Sequence, residues 1–387
     1  MDIILKDNLS QQQIHVQDRK QKIKIFNCGP TVSDYIHVGH LRNALLPDLL
    51  IRVMSELGWG DVVSLCNVTN ISNKIYKRSK QEKSLSWVQI GDQFTRYWQE
   101  DLLSLNIYLP HIIMPDTRHV QGIIKFTESL LDMKAAYIKE GTVYFDCDYI
   151  KPQVDQFHDY NLPIEKGLLH EIHQNTEDFI LWESVTSTDE MVWDSPWGIG
   201  RPGKHIPCSN VIETYCDHND LIIHCGGDDL LYHHSCEFSQ NLAHSNNATV
   251  SDIWLHNALI HVNGQKMGKS LGNSKTVREL LLDYKPNTLR WYLLNTNYDS
   301  ILEYDPSQIE QVQEQWNRIE NRLSQFEIFR VEDEAYYQRV MDKLADNLNT
   351  RGTLLMIEDA VLNGEGNEQT LKTSGYILNM LGFRMSK

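Results

Sequence analysis

Three stretches of the chain carry residue types at spacings that suit phosphate and metal chemistry. In the first, the apolar run Ile23 to Phe26 breaks at Gly29-Pro30, and a small-residue loop follows with His37, Gly39 and His40. An apolar-periodic run from Ala44 to Leu57 then reads as a helix. Strand, glycine turn and helix start make a place where backbone N–H groups and the helix dipole receive phosphate. Two imidazoles three residues apart add donors that are only partly charged near neutral pH. In the second stretch, His233 and Glu237 stand at i and i+4 of an expected helix, so both project from one face. In the third, Lys266 and Lys269 share one loop, and a lysine pair suits charge spreading over phosphoryl oxygens. Each stretch alone is short, and each also occurs as an ordinary solvated loop or helix face.

The whole chain bounds what these residues serve. Its 387 residues suffice for two or three compact units, and 41% hydrophobic with 23% charged residues is ordinary for a soluble enzyme. The formal charge of −16 gives no general attraction to phosphate backbones, so a nucleic-acid contact needs a local basic patch. Seven scattered cysteines suit a reducing compartment, where thiols serve as metal ligands or core residues. The N-terminus has no apolar signal core and no apolar run is long enough to span a membrane, so a cytoplasmic protein is expected.

Read for organisation, the sequence predicts an α/β protein with a Rossmann-like parallel sheet split by an insertion and followed by a helical bundle. Residues 1–110 form the first catalytic half, with a short hairpin or arm over residues 1–22; residues 111–199 form the insertion. Residues 200–305 complete the catalytic domain and residues 306–387 form the bundle. Helices are expected from about Ser86 to Leu105 and from Val120 to Lys139, with strands at Asp61 to Cys66, Thr142 to Asp146 and Leu221 to His224.

Two further segments join the three: Trp193-Asp-Ser-Pro-Trp-Gly-Ile-Gly-Arg-Pro-Gly-Lys-His-Ile-Pro-Cys-Ser209 and Asp346-Asn-Leu-Asn-Thr350. In this order the five resemble the cysteinyl-tRNA synthetases, class I aminoacyl-tRNA synthetases, and their relative, the cysteine ligase of mycothiol biosynthesis. His37-Val-Gly-His40 stands for the family's His-Ile-Gly-His, and Lys266-Met-Gly-Lys-Ser270 for Lys-Met-Ser-Lys-Ser. The resemblance implies that Cys28, Cys208, His233 and Glu237 hold Zn²⁺, which reads L-cysteine through its thiolate. Cys236, one residue before Glu237, is a competing thiolate. The resemblance further implies that His37 and His40, with Gly39, cradle the phosphates of ATP (bound with Mg²⁺). Gly227 and Asp229 hold the ribose, Lys266 and Lys269 close on the pyrophosphate side, and Thr69 lines the substrate pocket.

The chain also departs from the family pattern. Lys204 stands for a pocket tryptophan, Pro207 for a glutamate, Gly268 for a serine, and Glu183 for a lysine or arginine. Asn70, Ser72 and Asn73 replace aspartates, and the segment from Tyr144 to Phe179 is shorter than its counterpart. With the acidic charge and the truncated outline, the expected acceptor of the activated cysteine is a non-tRNA amine, on a small molecule or carrier. The alternatives are tRNA(Cys), charged without a full anticodon domain, and a paralogue that binds cysteine or nucleotide without turnover.

Overall fold

The polar N-terminal stretch folds back on itself as the hairpin β1 (Ile3–Lys6) and β2 (Gln13–Val16), and β3 (Ile23–Asn27) then enters the interior. This computed structural model describes residues 1–385 except 18–21, 83, 155–177, 186–190, 218, 245–250, 328 and 365. The stretch between Tyr144 and Phe179 therefore lies largely outside the described residues. After β3 come α1 (Val38–Glu56), β4 (Val62–Val68), α2 (Asn73–Glu82), α3 (Trp87–Ser104) and β5 (Ile112–Pro115). Then α4 (Val120–Asp132) leads to β6 (Ala136–Lys139), β7 (Thr142–Phe145), α5 (Cys147–Val154), β8 (Phe179–Ser184) and β9 (Gly200–Pro202), whose strands form a four-stranded antiparallel sheet.

The chain returns to the central sheet through α6 (Ile206–Tyr215), β10 (Leu221–Gly227), α7 (Leu231–His244) and β11 (Ile253–Asn257). The central sheet is all parallel in the order β11-β10-β3-β4-β5. Every residue of β11 and all but the first of β10 are buried, as expected of parallel strands covered on both faces. Chain order reverses between β3 and β10, and ligands of doubly wound sheets bind at the carboxyl ends of strands at such a switch point. A small sheet of β12 (Ile260–Val262), β13 (Gln265–Lys266) and β14 (Leu302–Glu303) carries the lysine loop, with α8 (Val277–Asp283) and α9 (Pro286–Leu294) between. The bundle is α10 (Pro306–Leu323), α11 (Glu334–Ala345), α12 (Thr350–Leu362) and α13 (Glu368–Met380). Its apolar faces share one core with α1, α3 and α9. Among the described residues, no helix is long and apolar enough to cross a membrane.

The helix expected over Val120 to Lys139 stops at Asp132. Lys134 takes a left-handed φ of 63°, and Ala136–Lys139 instead pairs with β7 across a tight turn in which Glu140 and Gly141 both have positive φ. β5, within the stretch expected to be the insertion, is the fifth strand of the central sheet, and the antiparallel sheet begins only at Ala136. We propose that the insertion starts beyond β5.

Candidate active site and metal centre

At the carboxyl end of β3 the chain makes a close turn. After β3, the Gly29 N–H donates to Asn67 Oδ1 at 2.8 Å. A Cβ on Gly29 would lie 1.8 Å from the Asn67 carbonyl oxygen, so only glycine lets this loop approach β4. The loop then feeds α1, whose start is capped by its own histidines. His37 Nδ1 accepts from the Gly39 N–H at 3.1 Å, while His40 Nδ1 accepts from the His37 N–H at 3.2 Å. This is a capping box built from two imidazoles. Because both Nδ1 atoms accept, each neutral ring carries its proton on Nε2. Burial, helped by the Lys269 charge, holds His37 at about 4 and His40 well below the ordinary imidazole value. The pair, expected to be partly charged, is neutral: it offers N–H donors rather than positive charge.

Behind this cradle lies a buried cluster. Cys28 Sγ is 3.8 Å from Cys208 Sγ and 3.4 Å from Glu237 Oε1, and His233 Nε2 is 2.6 Å from Glu237 Oε1 and 3.5 Å from Cys208 Sγ. The four donor atoms all fall within 4.8 Å of one another. Cys28 follows β3, Cys208 sits in the first turn of α6, and His233 and Glu237 are one turn apart on α7. Burial pushes the Cys28 thiol up to about 12 and the Cys208 thiol well above its ordinary value. Burial also lowers His233 to about 3, aided by the Lys204 charge, and lowers His224 on the other side of the carboxylate. Among the described residues no lysine or arginine pairs with Glu237, which is fully buried. Two thiols and a carboxylate packed against neutral imidazoles lack a positive charge. A divalent cation would supply it, and two sulfurs, one nitrogen and one oxygen form a donor set that zinc accepts.

A second group, Cys28, His224, His234 and Glu237, is equally close. Cleft access separates the two. Cys28 and His233 line the cleft, whereas His224 and His234 are wholly buried and do not. An ion held by the first group would be within reach of a ligand entering from the cleft. His224 and His234 support it: His234 Nδ1 lies 2.7 Å from His256 Nε2 and its Nε2 lies 3.2 Å from Cys28 Sγ. Cys236 belongs to neither group; it is buried in the core beneath α4 and β8 and hydrogen-bonds Tyr232.

Cradle and cluster open on one cavity of about 360 Å³, a size typical of small-ligand sites. Cys28, His37, Gly39, His40, Thr69, Lys204, Gly227, Asp229, His233 and Lys266 all line it. Cys208 and Glu237 are buried and do not line it, and Lys269, between the lining residues Gly268 and Ser270, has its Nζ 3.1 Å from Asp34 Oδ2. Ten of the thirteen expected site residues therefore line one cavity.

Several partners escaped the sequence reading. Asp34, which pairs with both Lys269 and Arg78, was unmarked by any motif. His205 and His234 adjoin residues that were singled out, and the histidine density between 205 and 256 is the signal that marks them. Two family departures meet through a third residue: Arg201 donates to Glu183 Oε2 at 2.7 Å and to Asn73 Oδ1 at 3.0 Å. Asn70 is structural, exchanging two hydrogen bonds with Thr117.

The parallel sheet with a switch-point cleft, a histidine-capped helix and a lysine loop is the catalytic fold of class I aminoacyl-tRNA synthetases. The fold matches that of Mycobacterium tuberculosis methionyl-tRNA synthetase in complex with methionyl-adenylate, with a TM-score of 0.65 at 14% identity over 93% of this chain and 89% of that one. Residues 14–314 match the family described as tRNA synthetases class I (C) catalytic domain. The chain is 34% identical to the cysteine–tRNA ligase of Mycoplasma mycoides subsp. mycoides SC over 94% of its own length and 87% of the relative's. It is also 34% identical to that of Mycoplasma capricolum subsp. capricolum, over 89% and 80% of the two lengths. The chain belongs to the cysteinyl-tRNA synthetase family.

Proposed function

We propose that this protein activates L-cysteine with ATP and Mg²⁺, releasing pyrophosphate, and passes the cysteinyl group from cysteinyl-adenylate to tRNA(Cys). The observation that carries the reading is the single cavity on which thiol-seeking donors and phosphate-facing N–H groups both open. A zinc ion held by Cys28, Cys208, His233 and Glu237 would bind the substrate thiol as thiolate, which serine cannot match.

The chain's own residues do the rest. His37 and His40 present neutral Nε2–H donors, and the Gly39 region adds the helix start, so the phosphates meet hydrogen bonds without competing charge. Gly227 ends β10 and Asp229 lies in the turn just after it, beside the cradle, where a ribose would sit. Lys266 and Lys269 bring positive charge to the side from which pyrophosphate leaves. The substrate carboxylate oxygen attacks the α-phosphorus in line, and charge spreading over the phosphoryl oxygens is met by these donors. Thr69 follows β4 and brackets the loop after Cys28, its N–H donating to the Pro30 carbonyl at 3.2 Å.

The acidic charge and outline favoured a non-tRNA amine as acceptor. Relatives that match over most of the chain are cysteine–tRNA ligases, and they favour tRNA(Cys) instead. Cysteine-dependent exchange between pyrophosphate and ATP tests the activation step; its absence in zinc-loaded protein would favour a non-catalytic binder. Aminoacylation of a tRNA(Cys) transcript tests the acceptor, and activation without charging would return the reading to a small-molecule or carrier amine.

A further inference from the structure

Among the described residues, the cleft holds an ammonium with no hydrogen-bond or ion-pair partner. Lys204 lines the cavity beside Cys28 and His233, and among the described residues it makes no hydrogen bond or ion pair. Lys266, the other lysine on the cavity wall, is paired with Asp229 at 2.8 Å, and Lys269 is paired with Asp34. The backbone at Lys204 is fixed from both sides. A Cβ on Gly203 would lie 2.0 Å from the Ile180 carbonyl oxygen, so glycine lets the chain press against β8. On the other side His205 Nδ1 lies 2.5 Å from Nδ1 of the donor residue His233. Lys204 thus lies between a glycine pressed on β8 and the histidine that touches a donor residue, and its exposed side chain lines the cleft.

Charge counting says what that ammonium faces. Two thiolates and a carboxylate around a divalent ion leave the centre at −1, and a substrate thiolate would take it to −2 inside a buried wall. Unneutralised charge in such a place is costly.

We propose that Lys204 recognises substrate in this chain: its ammonium is the charge partner of the thiol sulfur received at the Cys28–Cys208–His233–Glu237 centre. This rests on the reading of the site as a cysteine-activating one, and it assigns a role to a position where the family resemblance places tryptophan. A tryptophan would wall the pocket by shape, whereas a lysine selects an anionic sulfur by charge.

The test uses the full chain loaded with cobalt, whose thiolate absorption reports ligand binding independently of turnover. Two probes are titrated: cysteine, and cysteamine, which has the thiol and amine but no carboxylate. Lys204→Met is expected to weaken both about tenfold, Lys204→Arg to recover most of the loss, and all three proteins to hold equal metal. Unchanged affinity for both thiols in Lys204→Met would overturn the proposal. So would a loss confined to cysteine, which would make the ammonium a carboxylate reader. Metal lost from Lys204→Met and kept in Lys204→Arg would also overturn it, because the residue would then be part of the centre itself. Wild-type protein that holds its metal yet binds neither thiol would instead defeat the underlying cysteine reading.

Discussion

Lys266 Nζ lies 2.8 Å from Asp229 Oδ2, so the residue expected on the pyrophosphate side and the residue expected at the ribose hold each other across the cleft. Lys269 is tied in the same way, to Asp34 and to the Tyr35 carbonyl. All four side chains are between a third and a half exposed, and ion pairs of that kind contribute only about 0–1 kcal/mol. Incoming phosphates can therefore displace these carboxylates at little cost. Lys266→Ala and Lys269→Ala should each slow cysteine-dependent pyrophosphate exchange by about a hundredfold while leaving cysteine binding to the metal-loaded protein intact. Calorimetry showing that cysteine binding is lost would remove both lysines from the nucleotide side.

Gly268 stands where the family resemblance places a serine. Its φ of −169° is extended and open to any residue, its N–H donates to Asn273 Oδ1 at 2.8 Å, and Asn273 Nδ2 returns a bond to the Lys266 carbonyl at 3.1 Å. A Cβ at 268 would meet only Ser270 Oγ, at 3.9 Å. Gly268→Ser should therefore leave unfolding within about 0.5 kcal/mol of wild type and exchange activity close to it. Asn273→Ala, which removes both bonds, should raise the ATP concentration needed for half-maximal exchange. The reverse ranking of the two variants would mean that the glycine itself governs the loop.

The cleft was legible in the sequence because its chemistry sits at strand ends and helix starts, where glycine and histidine leave local marks. His233 and Glu237 could be placed on one face from spacing alone, and α10 to α13 announced themselves by periodicity. Cys208 was different: nothing local separates it from Cys225, a core thiol on β10, and only alignment with the family motif picked it out. What stayed hidden depends on tertiary approach. The pairing of Asp34 with Lys269 joins residues 235 positions apart, and the bridge from Glu183 through Arg201 to Asn73 joins three segments. The end of α4 was missed because Lys134 accepts a left-handed φ that its residue type does not advertise.

The candidate metal centre brings α6 and α7 to the loop after β3, so an ion held there should be structural as well as functional. Metal analysis should find about one zinc per chain, and Cys208→Ala should remove it. Chelation should lower the melting temperature by several degrees, because binding energy for a buried site is folding energy. Zinc retained in Cys208→Ala would place the ion in the group formed by Cys28, His224, His234 and Glu237.

A second buried charge set joins the catalytic half to the bundle. Asp48 on α1 accepts from Arg290 on α9 and from Arg52 at 3.0 Å, and Arg290 also donates to the carbonyls of Leu381 and Leu105 at 2.7 and 3.0 Å. Both Asp48 and Arg290 are fully enclosed. Arg290→Met leaves the carboxylate short of a partner and should cost about 3–5 kcal/mol of stability. Adding Asp48→Asn should recover part of that loss. Two losses that simply add in denaturant titrations would show that the pair is not coupled.

Asp116, between β5 and α4, sets a pH dependence of opposite sign to that of an ion-paired carboxylate. Burial raises it to about 8 against the opposing effects of the Asn67 side chain and the Ile71 and Asn70 backbone N–H groups, and its Oδ1 has no partner among the described residues. The unfolded chain releases this proton near 3.8, so above that pH the native state carries one proton more than the unfolded state. Stability from this group is therefore complete below the unfolded value, and it falls as pH rises until the native carboxyl ionises near 8. The slope has an upper limit of about 1.4 kcal/mol per pH unit. Asp116→Asn keeps the shape and removes the titration, so wild type should lose stability relative to the variant across about pH 5 to 8 in urea titrations. Parallel stability curves for the two proteins over that range would show that the carboxyl is already ionised in the fold.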